Sequence, residues 1–107
     1  MEIAQYEIVL VNLDPTMGSE MKKTRPCIII SPNEMNKYLQ TVVIAPLTNS
    51  SKPYPTRVEI KQEKTKGRII LDQIRTIDKA RIIRKLGDLT ISEIDAVKAV
   101  IMETYVE

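Results

Sequence analysis

The chain has 107 residues, 43% of them hydrophobic and 28% charged, which is enough for one compact domain with a core and too few for two. It has no histidine and one cysteine, Cys27, which excludes an internal disulfide, the usual zinc sites and any Ser-His or Cys-His nucleophile pair. Residues 1 to 87 carry 15 Lys/Arg against 9 Asp/Glu, whereas residues 88 to 107 carry one Lys against five acidic groups; the longer, basic stretch suits a polyanion or a set of solvated sheet edges equally.

In chain order, short β-branched runs predict strands at 7 to 13 (EIVLVNL), 27 to 31 (CIIIS), 41 to 45 (TVVIA), 56 to 60 (TRVEI), 68 to 71 (RIIL) and 80 to 86 (ARIIRKL). Pro, Gly, Asn and Ser separate them, and their spacing predicts a mainly β domain spanning 1–107, a small antiparallel barrel or strongly curved sheet. The apolar run at 27 to 30 must be buried on both faces, which makes Cys27 a small buried hydrophobe. Ser31 and Pro32 predict a turn of helix over 31 to 39, with Ser31 as cap. A second helix is predicted over 91 to 105: Thr90 and Glu93 form a capping box, Leu89 and Ile94 a hydrophobic staple. Its stripe of Ile94, Val97, Ile101 and Tyr105 covers an open end of the barrel or also joins a second subunit. No apolar run is long enough to cross a bilayer, and the N-terminus lacks the basic start and cleavage site of a secretory signal, so a cytoplasmic protein is expected.

Polar residues concentrate in three loops. The first, residues 14 to 25, holds Gly18, Glu20, Lys22, Lys23 and Arg25; the second, 46 to 55, holds Thr48, Asn49, Ser50, Ser51, Lys52 and Tyr54; the third, 71 to 81, holds Asp72, Gln73, Arg75 and Asp78. Arg25 precedes Pro26, so its backbone is pushed to extended geometry at the mouth of the apolar run. A guanidinium held there can grip a phosphate or an oxyanion with two parallel donors; the alternative is a structural arginine paired with Glu20 or Asp72. The hydroxyls of the second loop serve as turn formers or as catalysts. Asp72 and Arg75 make an internal ion pair or bind a ligand, and Tyr54, between Pro53 and Pro55, is a packed loop residue or a base-stacking platform.

Four segments in order, EIVLVNLDPTMGSEMKKTRPCIIIS, VVIAPLTNS, LDQIRTIDKARI and LGDLTISEIDAV, resemble the MazF/PemK toxin family, the mRNA interferases of bacterial toxin–antitoxin pairs. The resemblance covers nearly the whole chain. It implies an SH3-like (CcdB/PemK-like) barrel with a C-terminal helix, a homodimer, and cleavage of single-stranded RNA without metal or other cofactor. It matches Arg25 and Thr48 to the family's catalytic arginine and threonine, and Glu20 to an acidic residue needed in some members. With RNA as substrate, the three polar loops are expected to contact it through Ser19, Lys22, Lys23, Asn49, Ser50, Lys52, Asp72, Gln73 and Arg75, and an acidic MazE-like antitoxin is expected over the loops at 14 to 25 and 46 to 55. The chain departs from the family where Tyr6-Glu7 replaces a frequent Gly-Asp pair, where Ile70 replaces an arginine of some relatives, and in lacking a histidine near the first loop. The general base is open among Glu20, Asp72 and water. The alternative is a CcdB-like, non-catalytic inhibitor of DNA gyrase; those poisons end in a Trp-Gly-Ile tail, whereas this chain ends in METYVE.

Overall fold

In the computed structural model, which describes residues 2–13, 23–49 and 52–106, the β-branched runs pair into one antiparallel sheet. The strands are β1 (Glu7–Asn12), β2 (Thr24–Ile29), β3 (Thr41–Thr48), β4 (Arg57–Lys61), β5 (Lys66–Ile70), β6 (Arg75–Asp78) and β7 (Ile82–Asp88). Their order is β4-β5-β3-β2-β1-β7, with β6 on β3. One edge of β3 is shared end to end: Thr41 to Ile44 pair with β6, and Leu47 and Thr48 pair with β5. The 3-10 turn Leu71–Gln73 carries the chain from β5 to β6, so one strand belongs to two sub-sheets and the whole curls.

Two cores form because β1, β2 and β3 bury both faces. Ile8, Ile28, Ala45 and Leu47 face one side, with Val58, Ile60, Ile69, Leu71, Leu89 and Val97. Val9, Val11, Cys27, Ile29, Val42 and Ile44 face the other, with Ile77 and Ile82. The alternation in CIII therefore sends neighbours to opposite cores, as the unbroken apolar run requires. Helix α2 (Ile91–Ile101) packs on β4 and on the 71–73 turn, with Ile94, Val97 and Ile101 turned to the first core.

The capping box is formed: Thr90 Oγ1 accepts from Glu93 N at 3.2 Å, and Glu93 Oε1 accepts from Thr90 N at 2.8 Å. The α-helix stops at Ile101 rather than 105, and Met102–Val106 make a π-helical turn. There the Tyr105 hydroxyl donates to Leu71 O at 2.6 Å, tying the chain end to the β5–β6 corner. Helix α1 (Asn33–Tyr38) does form, but Pro32 is its N-cap and Ser31 does not cap it. The Ser31 hydroxyl instead accepts from Val43 N at 3.0 Å and pairs with the buried Asn36 amide, because β3 offers it a nearer donor. No helix of the described residues is long and apolar enough to cross a membrane.

Tyr6 has a left-handed backbone, φ 69°. Its N–H donates to Ile29 O at 2.7 Å, its carbonyl accepts from Leu89 N at 3.1 Å, and its ring packs on the first core. A glycine would fit that geometry without strain, whereas here ring packing and two backbone bonds hold the conformation. Glu7 is buried beside it, accepting from Ala4 N at 2.8 Å and pairing with Lys85 Nζ at 3.0 Å.

Thr90→Ala removes an acceptor from the start of α2 and should lower stability by about 1 kcal/mol, measured as a lower urea midpoint at unchanged m. Burial pushes the Cys27 thiol from its ordinary 9.0 up to about 12, against the opposing pull of Arg25 and Arg75. The folded state therefore loses stability as pH rises from about 9 toward 12, where only the unfolded thiol ionises. At pH 8 iodoacetamide should alkylate the denatured chain and leave the folded one untouched; equal rates would show an open thiol.

Candidate active site

The β2–β3 ladder runs Ile29↔Ile44, Ile28↔Ala45, Cys27↔Pro46 and goes no further. Pro26 and Pro46, at its end, have no N–H to donate. Beyond them the strands diverge, and a cleft of about 410 Å³ opens, lined by Thr24, Arg25, Pro26, Leu47, Thr48, Asn49 and Lys66. Two residues past Cys27 on β2 is Arg25, and two past Pro46 on β3 is Thr48, so period-2 alternation puts both on the Cys27 face.

Arg25 does not precede the strand, as the sequence suggested. β2 starts at Thr24, because β1 pairs with it through Asn12↔Thr24 and Leu13 N donates to Lys23 O at 2.8 Å. A strand on one edge and a proline next in sequence thus fix the Arg25 backbone. The Cys27 thiol adds a contact to the Arg25 carbonyl at 3.5 Å. The Arg25 side chain is exposed, and among the described residues no carboxylate reaches it within ion-pair distance. Asp72, one partner considered for it, is engaged elsewhere: it accepts from Thr56 Oγ1 at 2.8 Å and lies 3.9 Å from Arg57 Nε. That arrangement also replaces the Asp72–Arg75 pair.

Thr48 ends β3. Across β5 it faces Arg68, and across β4 Arg68 faces Glu59, with Nη2 to Oε2 at 3.8 Å. Register partners in antiparallel strands share a face, so Thr48, Arg68 and Glu59 form one row, and Lys66 stands on the same face of β5. Gly67, between the two cations, has φ 145°, and a Cβ there would lie 2.7 Å from Thr48 O. Glycine therefore lets β5 close onto the backbone of Thr48.

Of the predicted site residues, the structure brings Arg25, Thr48 and Asn49 to the cleft. Lys23 lines a shallow extension of about 410 Å³ with Leu13, Thr24 and Arg25. Arg75 stands on β6 opposite Ile44, close enough that its charge, with that of Arg25, favours the Cys27 thiolate. Lys52, Asp72 and Gln73 are exposed and do not line the cleft. Tyr54 is 47% exposed, with the Arg57 guanidinium 4.5 Å from its ring centroid. Ser19, Glu20, Lys22 and Ser50 lie outside the described residues. Lys66 and Arg68 were missed: the alternation of Lys66, Arg68 and Ile70 marks one face of a strand, but only the β3–β5 register shows that Thr48 shares it. A cleft of about 430 Å³ elsewhere, lined by residues such as Glu2, Ala4, Asn36 and Lys79, holds none of the predicted residues.

Residues 4–105 match the model of the PemK-like, MazF-like toxins of type II toxin–antitoxin systems. The chain is 39% identical over 97 residues to the endoribonuclease MazF of Staphylococcus epidermidis, covering 85% of this chain and 81% of that protein. Its fold is similar to crystal structures of MazF from Deinococcus radiodurans (TM-score 0.84, 21% identity, 100% and 99% of the two chains). It is also similar to a mycobacterial endoribonuclease in complex with its cognate antitoxin (TM-score 0.82, 20% identity, 94% and 92%). The chain belongs to the family of PemK-like, MazF-like toxins of type II toxin–antitoxin systems.

Proposed function

We propose that this protein is the toxin of such a pair, an endoribonuclease that cuts single-stranded RNA in the Arg25–Thr48 cleft. The observation that carries the proposal is that an exposed guanidinium, without a described carboxylate beside it, lines one cleft with a threonine from a different strand. The ribose 2′-oxygen attacks the adjacent phosphorus, a P–O2′ bond forms, and the P–O5′ bond breaks. The 2′-hydroxyl gives up its proton and the 5′-oxygen gains one. The products are a 2′,3′-cyclic phosphate and a 5′-hydroxyl.

Negative charge builds on the non-bridging oxygens as five groups surround phosphorus, and Arg25 opposes it. A guanidinium keeps its charge and is a poor proton donor to a leaving oxygen, so its role is electrostatic. The Thr48 hydroxyl donates to a non-bridging oxygen or orients the attacking hydroxyl. Asp72, held by Thr56 and Arg57 away from the cleft lining, is a poor base here, which leaves Glu20 and water. With charge neutralised by side chains, the reaction needs no metal.

The 39% identity to a named endoribonuclease supports the activity. A cytoplasmic homodimer fits the same family. A toxin of this kind must be held in check, and the exposed cations Lys23 and Arg25 beside an apolar wall of Pro26 and Leu47 suit an acidic, partly disordered antitoxin segment that competes with RNA.

In EDTA the purified protein should cut unstructured RNA and leave the two ends named above. Arg25→Ala, folded by circular dichroism and melting, should cut about a hundredfold to a thousandfold more slowly; undiminished cutting would remove Arg25 from the mechanism. Gly67→Ala should lower stability by more than about 1 kcal/mol and also slow cutting, because its Cβ pushes β5 from Thr48; calorimetry and single-turnover cleavage read the two effects.

A further inference from the structure

We infer that the RNA strand continues past the cut into a second cleft, of about 420 Å³, lined by Pro26, Lys64, Thr65, Lys66, Arg84 and Leu86. There Lys64 and Arg84 hold backbone phosphates of the flanking nucleotides. The inference rests on the RNA-cutting reading and names the path of its substrate.

The two clefts share Pro26 and Lys66, so they adjoin. Their walls come from separate regions of the fold. Arg84 on β7 faces Leu10 on β1, and Leu10 faces Pro26 on β2, so Arg84 and Pro26 occupy one row on one face of the sheet. The β4–β5 turn supplies Lys64 and Thr65. That turn is anchored: Gln62 N donates to Thr65 O at 3.1 Å. The Gln62 side chain donates to Asp88 O at 2.9 Å and to Glu93 Oε1 at 2.8 Å. The turn is therefore tied to the end of β7 and the start of α2, which holds Lys64 and Arg84 across one gap.

Charge selects the occupant. No carboxylate lines the second cleft, and the turn's Glu63 is not among its walls. Among the described residues no acid pairs with Lys64, Lys66 or Arg84, whereas Glu7 and Asp88 hold the neighbouring Lys85, and Glu59 holds Arg68 and Lys61. The cations that line the two clefts, Arg25, Lys64, Lys66 and Arg84, are thus all without an acid among the described residues. Lysine is a point charge that grips phosphate without demanding one geometry, which suits a strand whose flanking sequence varies. Pro26 and Leu86 give the sugars an apolar wall.

The test uses two RNAs with one mapped cut sequence, a short one confined to the cut and a long one extended on both sides. Each is also made with 2′-deoxyribose at the attacking position, so that binding is read without cutting. For Lys64→Gln/Arg84→Gln, the slope of log affinity against log salt on the long RNA should fall by about 1.4, from roughly 0.7 per lost contact on a single strand. Cutting of the short RNA should stay as in the wild type. An unchanged slope would overturn the inference, as would equal loss on both RNAs, or an altered oligomeric state with no change in slope, which would give the cleft to a second copy of this chain. If the wild type binds both uncleavable RNAs but cuts neither parent, the nuclease reading fails while the binding path is still measured.

Discussion

The β2–β3 ladder ends because its last rung, Cys27↔Pro46, holds one proline and the next residue of β2, Pro26, is another. Pro26 and Pro46 lack the donors that would carry the pairing on, so β2 and β3 diverge before Arg25 and Thr48 can be joined. The constraint would open a frayed edge in a thin sheet. Here both strands are locked just behind the opening by Cys27, Ile28, Ile29, Ile44 and Ala45, all inaccessible to solvent. The cleft is thus an unpaired end on a fully packed base, which positions side chains without a loop to order. β5 closes its far side, and Gly67 sets how near β5 comes.

The pairing of charges divides the surface. Arg57, Lys61, Arg68 and Lys85 each have an acid within 4.0 Å, on the outer face of β4 and β5 or at the end of β7. Each pair has at least one partner open enough for water to screen it, so it adds little stability, and it cancels field locally. Arg25, Lys64, Lys66 and Arg84 have no acid among the described residues and crowd round two adjoining clefts. A net charge of only +2 therefore gives a focused positive site.

Much of this was legible in the sequence. The capping box at Thr90 and Glu93 is a local pattern with a local cause, and the burial of CIII on both faces followed from its lack of alternation. Arg25 stood out because proline restricts its neighbour whatever the fold. Other features depended on partners far along the chain. β2 starts earlier than its apolar run because β1 pairs with Thr24 and Arg25, and polar side chains do not prevent backbone pairing. β6 hid in a segment that reads as a loop, since Arg75 and Thr76 are exposed and only Ile77 is buried. Lys66 and Arg68 came to the row of Thr48, and Arg84 to that of Pro26, through register alone, and no spacing along one strand reveals what lies across from it.

The surroundings of Ile70 show how register can place a charge that spacing along the chain does not. The family resemblance implies an arginine at that place in some members; here Ile70 is buried and pairs with Arg57. Two residues earlier, on the same face of β5, stands Arg68, and it is this position that lies directly across from Thr48. A guanidinium moved back by one full pleat period keeps its face and shifts by about 7 Å along the strand. Glu59 on β4 lies 3.8 Å from the Arg68 guanidinium. A cation beside Thr48 is therefore compatible with isoleucine at position 70, because what the threonine meets is a row of the sheet and not a fixed distance from the aspartate at 72.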